Sequence, residues 1–309
     1  MKRIAPFLIA LCLTCYSYAQ SSSMVALKIV IDDIVEPFPI EGKAQLENKI
    51  RNILTKNGVQ SSDWQHQFFI TTNVVPQTKD IIPGPPPQIA ENMDITFYIG
   101  DAYNKVIFSS MTLSVQGVGS TSAKCYLNAL ANINANSSKF ATFIQEGRDK
   151  IIKYYNEQGQ SIMIKAEKLA KMQEFEQAIW LLTTIPYECT HFAKASELTT
   201  TIYKQFLQYQ CQQNLASAKS AWNSNYNKEG AQEAAYYLSF IISDTNCYDE
   251  ANALYQEMKD HLKEEWTFEM KKHEDEVSLQ KDLIEAARAV GVAYGEGQKG
   301  HDTHIGFIH

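Results

Sequence analysis

Positive charge is in short supply: 28 Lys and Arg stand against 35 Asp and Glu, a formal net charge of -7 over 309 residues. The cations are spread through helical stretches rather than gathered into a stripe, so a nucleic-acid backbone or an anionic membrane has no obvious grip on the chain. Long apolar runs are also lacking. Ile4–Leu13 falls well short of the roughly 20 residues that a spanning helix needs, and no later stretch approaches that length without charges. Catalytic signatures are missing too, with no G-x-S-x-G elbow, phosphate-binding loop or spaced Cys and His set after residue 19. These absences count against a nucleic-acid binder, an integral membrane protein and, more modestly, an enzyme. No cofactor is expected.

Cysteine is sparse, and its placement is informative. Lys2 and Arg3, the apolar run Ile4–Leu13, and Ser17-Tyr18-Ala19 before Gln20 follow the three-part plan of a cleavable signal peptide. Cleavage after Ala19 removes two positive charges and takes the net charge from -7 to -9. It also removes Cys12 and Cys15, whose C-x-x-C spacing is then an accident of position. Leu11 precedes Cys12 and Thr14 precedes Cys15, so neither offers the small residue that a lipid-attachment signal needs. Export to an oxidising compartment makes Cys125, Cys189, Cys211 and Cys247 candidate disulfide cysteines, and their spacing leaves all three full pairings open.

The remaining chain has the length of about two domains. Met24–Ile34 reads as a first core strand. Leu46, Ile50, Ile53 and Leu54 mark an amphipathic helix stopped at Asn57-Gly58. Phe68–Val75 reads as a second strand, followed by a break at Pro83–Pro87. Two strand-like runs between Met93 and Val118 flank a polar turn at Asp101–Lys105, as a hairpin does. Ser122–Ile133 and Lys139–Asn156 read as helices, and Glu157-Gln158-Gly159 marks a boundary. Beyond it the pattern is helical throughout. The expected fold class is α+β: a mixed α/β domain with a small sheet (residues 20–157), an all-α domain (158–292) and a Gly- and His-rich flexible tail (293–309).

On the segments LKIVIDDI, LENKIRNILTKNG, FFITTNVV and MDITFYIG to ALANI, the first domain resembles the α/β domains of exported envelope proteins. Those relatives are the TolB amino-terminal domain, the penicillin-binding-protein activator lipoproteins and the curli-secretion lipoproteins. The resemblance covers about Val25–Asn156 and implies a place in the cell envelope. The helical half resembles a degenerate tetratricopeptide array, because AEKLAKMQEFEQAIWLLTTIP carries Ala166, Leu169, Phe175, Ala178 and Leu182 in the small, large and aromatic order of such helix pairs. Gly230–Ile241 aligns with Glu174–Ile185 at an offset of 56 residues, the difference between 230 and 174. Ala178, and Ala234 or Ala235, are therefore expected at close helix crossings. Ala287, near the end of a charged helix, is expected to tolerate a larger side chain.

Four constellations could carry chemistry. Asp32, Asp33 and Glu36 gather carboxylates at the end of the first strand, where an α/β sheet places ligands or metals. Paired acids before a Pro-rich turn more often cap backbone amides. Gly295, Gly297 and Gly300 satisfy G-x-G-x-x-G, but a helix precedes them where a nucleotide site needs a strand. His273-Glu274 opens like a zinc-protease motif, yet Val277 stands where the second histidine belongs. His301, His304 and His309 share a tail that would have to order itself around a metal. The reading is a non-enzymatic exported protein that contacts an envelope protein or peptide, or its own copies, through its helices. The alternative is a secreted hydrolase, or a small-ligand or metal-binding protein, using the acidic strand end.

Overall fold

A computed structural model describes residues 25–31, 40–61, 67–263, 268 and 279–297. The first half is a four-stranded sheet of order β1-β2-β3-β4, built from β1 (Lys28–Ile29), β2 (Phe68–Ile82), β3 (Gln88–Asp101) and β4 (Val106–Gly119). β1 pairs in parallel with β2, and α1 (Ile40–Lys56) lies between them in the chain. A parallel neighbour needs such a crossover, whereas β2, β3 and β4 follow one another as an antiparallel meander through tight turns. α1 buries Leu46, Ile50, Ile53 and Leu54. It ends where Asn57 donates to the Ile53 carbonyl (2.8 Å) and Gly58 takes φ +70°, a left-handed conformation that costs glycine little.

β3 alternates as a half-buried strand should, with Met93, Ile95, Phe97 and Ile99 inward. α2 (Ser122–Asn132) and the first half of α3 (Ser138–Lys171) cover that sheet. Phe97 meets Phe140 and Phe143 edge-on at 5.3 and 6.4 Å. The β2–β3 hairpin outruns this cover, and Val75–Ile82 are exposed.

α3 departs from the sequence expectation. It runs unbroken through Glu157-Gln158-Gly159, where a boundary was expected, and the hydrophobic core is continuous from Val25 to Ala287 across that point. Gly159 is not a breaker here, because a Cβ at that position would meet the His191 ring Cγ at 2.8 Å. The glycine lets a neighbouring segment approach, and the packing offsets its poor helix propensity of about 1 kcal/mol.

The rest of the chain is α4 (Phe175–Thr183), α5 (Phe192–Ser224), α6 (Lys228–Leu238), α7 (Tyr248–Leu262) and α8 (Leu279–Gly297). α4 with the start of α5, and α6 with α7, are two copies of one unit. At the 56-residue offset (234 less 178), Ala178 matches Ala234, Ile179 matches Ala235, Leu182 matches Leu238 and Ile185 matches Ile241, and all eight are buried. The connecting turns match bond for bond: Cys189 N to Pro186 O with Thr245 N to Ile242 O, Phe192 N to Cys189 O with Tyr248 N to Thr245 O, and Ala195 N to His191 O with Ala251 N to Cys247 O.

The helices behind the units match as well, at an offset of 52 (208 less 156). Asn156 of α3 accepts from Thr190 N at 2.8 Å, and Gln208 of α5 accepts from Asn246 N at 2.8 Å. The contact made by Gly159 and His191 in the first unit is made by the Cys211–Cys247 disulfide in the second, with Cα atoms 6.1 Å apart. The other two candidate cysteines are free and buried. Cys125 donates to the Ile89 carbonyl at 3.1 Å, and Cys189 lies 3.8 Å from the Ile152 carbonyl.

The second unit has its own core of α5, α6 and α7 residues around Trp222. α8 returns to the first unit and packs on α4 and α5. Residues 293–297, expected in a flexible tail, belong to this helix. Ala287, expected to tolerate bulk, is 0% exposed, since it sits in the α8 face that meets α4.

Candidate functional site

Where the sheet, the α4–α5 turn and α8 converge, the chain forms a half-open cavity of about 250 Å³. The start of β2 supplies Gln67 and Phe68, the β3–β4 turn supplies Tyr103, and α8 contributes Ile284, Arg288, Val292 and Glu296 from one helical stripe. Trp180, Glu188 and Phe192 complete its chemistry. Glu188 accepts from the backbone N–H of Val25 at 3.0 Å through Oε1, while its Oε2 is buried and has no hydrogen-bond partner. Arg288 lies over the Phe192 ring at 5.5 Å, a cation–π arrangement. Tyr103 packs edge-on against Trp180 at 5.2 Å, and burial pushes its phenol above the ordinary range, with the charges of Asp101 and Glu296 adding to the effect and a hydrogen bond with Trp180 opposing it.

One wall of the cavity is pinned by a buried polar network. Asp101, at the end of β3, is 0% exposed. Its Oδ1 accepts from the backbone N–H groups of Tyr103 (2.8 Å) and Asn104 (2.9 Å), and its Oδ2 from Asn104 Nδ2 (2.9 Å) and the Tyr155 hydroxyl (2.5 Å). Four donors satisfy the carboxylate completely, so it has no lone pair left for a substrate. Gln67 extends the network by donating to the Tyr155 oxygen (2.7 Å) and to the Thr184 carbonyl (2.8 Å). Burial, then the Asp101 charge, drive the Tyr155 phenol far above its usual range. The network therefore ties the sheet, α3 and the α4–α5 turn together, and its role is positional.

The second surface lies one repeat away. Trp180 of α4 is covered by α8, where a Cβ on Gly291 would meet the Trp180 backbone N and Cα at 3.1 Å and one on Gly295 would meet the indole Cδ1 at 2.7 Å. Tyr294 adds a ring contact at 6.1 Å. The matching residue of α6, Tyr236, is 62% exposed, and Phe240, which matches Thr184, is 55% exposed. Their rings meet edge-on at 5.0 Å, and among the described residues no helix lies over them as α8 lies over Trp180.

The sequence candidates fare unevenly. Asp32, Asp33 and Glu36 lie outside the described residues, as do His273, Glu274, Val277, Gly300, His301, His304 and His309. Gly295 and Gly297 fall within α8, and Gly295 packs against Trp180, so the glycine spacing follows a helix crossing rather than a phosphate. Among the described residues no group of three His, Cys, Asp or Glu is placed to hold a metal ion, and no helix is long and apolar enough to cross a membrane. The Asp101 network escaped the sequence reading. Its one local signal is the Asp101-Ala102-Tyr103-Asn104 turn, in which an aspartate accepts from the amides two and three residues on.

Comparison with known proteins adds little. No protein-family profile matches the chain, and no curated protein matches it in sequence. Among solved structures, a minor lipoprotein from Acinetobacter baumannii overlaps 43% of this chain and 88% of its own, at 17% identity and a TM-score of 0.23. A protein of Caulobacter crescentus CB15 described as a lipoprotein overlaps 42% of this chain and 88% of its own, at 14% identity and a TM-score of 0.22. Likeness at that level assigns neither family nor activity.

Proposed function

We propose that this chain is an exported, non-enzymatic protein of the Gram-negative cell envelope that acts as an interaction or assembly component through its repeated helices. The observation that carries the reading is the asymmetry of the repeat. Stacked helical units present surface, and of two matching helix faces one is covered by the chain itself while the other leaves Tyr236 and Phe240 in solvent. The residues ahead of Val25 support export through their signal-peptide plan, and the Cys211–Cys247 disulfide suits an oxidising compartment.

Expression in a Gram-negative host tests both halves of the proposal. Mass spectrometry is expected to find a mature chain beginning at Gln20, and the tagged mature chain is expected to retain a specific envelope component from solubilised membranes. A chain that still begins at Met1, or one that retains nothing beyond what a scrambled-surface control retains, contradicts it.

A second reading, binding of a small ligand, has the 250 Å³ cavity and the buried, unpartnered Glu188 Oε2 in its favour. Glu188→Gln separates the two. A ligand site loses a thermal-shift response to amines on that change, whereas retention of envelope components is unaffected.

A further inference from the structure

Among the described residues, α8 packs on the α4 face, and the matching α6 face has no such helix on it. On α4 the place is filled. Ala287, Gly291 and Gly295 recur every four residues along α8, which aligns three small residues on one face; a Cβ added at Gly291 would press on the Trp180 backbone at 3.1 Å and one at Gly295 would collide with the indole at 2.7 Å. Beside that stripe Arg288 reaches the Phe192 ring, with Glu188 lining the same cavity.

Shifting each receiving residue by one repeat gives its counterpart on the second unit: Trp180 becomes Tyr236, Thr184 becomes Phe240, Glu188 becomes Asp244 and Phe192 becomes Tyr248. The aromatic ring at the first position, the acid and the second aromatic ring are retained, and Phe240 extends the first ring into a ridge that Thr184 does not form. Glu229 and Glu233 add two more exposed carboxylates along the same side of α6, so the second place is more acidic than the first. A contiguous aromatic pair more than half exposed is costly to leave in water, at about 25 cal/mol per Å² of apolar area.

We infer that the α6 face is a docking seat for a helix of a partner protein with the chemistry of α8: glycine or alanine at positions four apart, flanked by an arginine or lysine. The small stripe admits the Tyr236–Phe240 ridge, as the α8 stripe admits Trp180. The cation meets Asp244 and Tyr248, as Arg288 meets the Glu188 cavity and Phe192. The seat rests on the interaction reading above and specifies the partner's surface.

The probe is a synthetic peptide of residues 279–297, titrated by calorimetry into the purified full-length mature chain. The expected result is saturable binding of one peptide per chain, weakened at least tenfold by Tyr236→Ala with Phe240→Ala, and equally by Gly291→Leu in the peptide. Both protein substitutions lie in solvent, and an unchanged circular dichroism melt confirms that the variant folds. No saturable binding up to roughly 1 mM, the weakest affinity worth about 4 kcal/mol, overturns the seat. Binding that ignores the double variant but responds to Trp180→Ala overturns it as well, because the peptide is then exchanging with α8 on α4. A dimer in sedimentation that Tyr236→Ala dissolves assigns the face to a second copy and overturns the partner helix. The peptide test is independent of export, so a failed seat alongside a cleaved, partner-retaining chain leaves the functional proposal standing, and the converse also holds.

Discussion

Trp180 and Tyr236 hold the same position in two copies of one helical unit, yet α8 packs over Trp180 and leaves Tyr236 62% exposed. The difference is energetic as well as geometric. Trp180→Ala removes a ring held by Gly295, Tyr294 and Tyr103, and is expected to cost about 2 kcal/mol or more. Tyr236→Ala touches little of the folded chain and is expected to stay within about 0.5 kcal/mol. Urea melts of the two variants compare them directly.

Ala178, Ala234 and Ala287 are each 0% exposed. Replacing any of them by leucine overpacks a helix contact and is expected to cost about 1 to 3 kcal/mol in thermal or urea melts. Ala287 is the informative member. A mild Ala287→Leu would mean that α8 does not pack on α4 in solution.

Cys211 and Cys247 are 36 residues apart in sequence. A bridge closing a loop of that size restrains the unfolded chain, so Cys211→Ser with Cys247→Ser is expected to lower stability by about 2 to 4 kcal/mol. Alkylation of the denatured, unreduced mature chain is expected to label Cys125 and Cys189 alone. In the folded chain burial, and then the charge of Glu188, raise the Cys189 thiol to about 11, so it is expected to resist alkylation at neutral pH.

The Tyr155 hydroxyl donates to Asp101 at 2.5 Å in a fully buried site. Tyr155→Phe leaves one acceptor position of that carboxylate unmet and is expected to cost about 1 to 3 kcal/mol. The same burial fixes a pH dependence. Tyr126 is raised from 10.0 to about 12 by burial, and Tyr155 is raised further. A phenol that ionises less readily when folded stabilises the fold fully below its ordinary value and progressively less as pH climbs through the folded value. Stability is therefore expected to be level between about pH 7 and 8 and to fall from about pH 10 to 12, less steeply in Tyr126→Phe.

Much of this fold was legible in the sequence because its signals are local. The period-two alternation of Met93, Ile95, Phe97 and Ile99, the stop at Asn57-Gly58 and the 56-residue match of Ala178 with Ala234 each sit inside a short window. What stayed hidden depends on contacts between distant segments. Gly159 reads as a break because only His191, far along the chain, shows why a helix would keep a glycine there. Ala287 reads as exposed because nothing local places α8 against α4. Asp101 and Tyr155 are 54 residues apart, and neither alone announces a network. Cysteine spacing could not select the 211–247 pair, which follows from the repeat geometry.

The central claim is that the α6 face, and not exposed apolar surface in general, meets a partner in the envelope. Site-specific photo-cross-linking in living Gram-negative cells tests it most directly, with the reactive side chain placed at position 236, at position 240, or at Ile164, an exposed apolar position on α3. The account predicts one discrete adduct with an envelope protein from positions 236 and 240 and none from 164. The absence of any adduct at 236 and 240, or the same bands at all three positions, would contradict it.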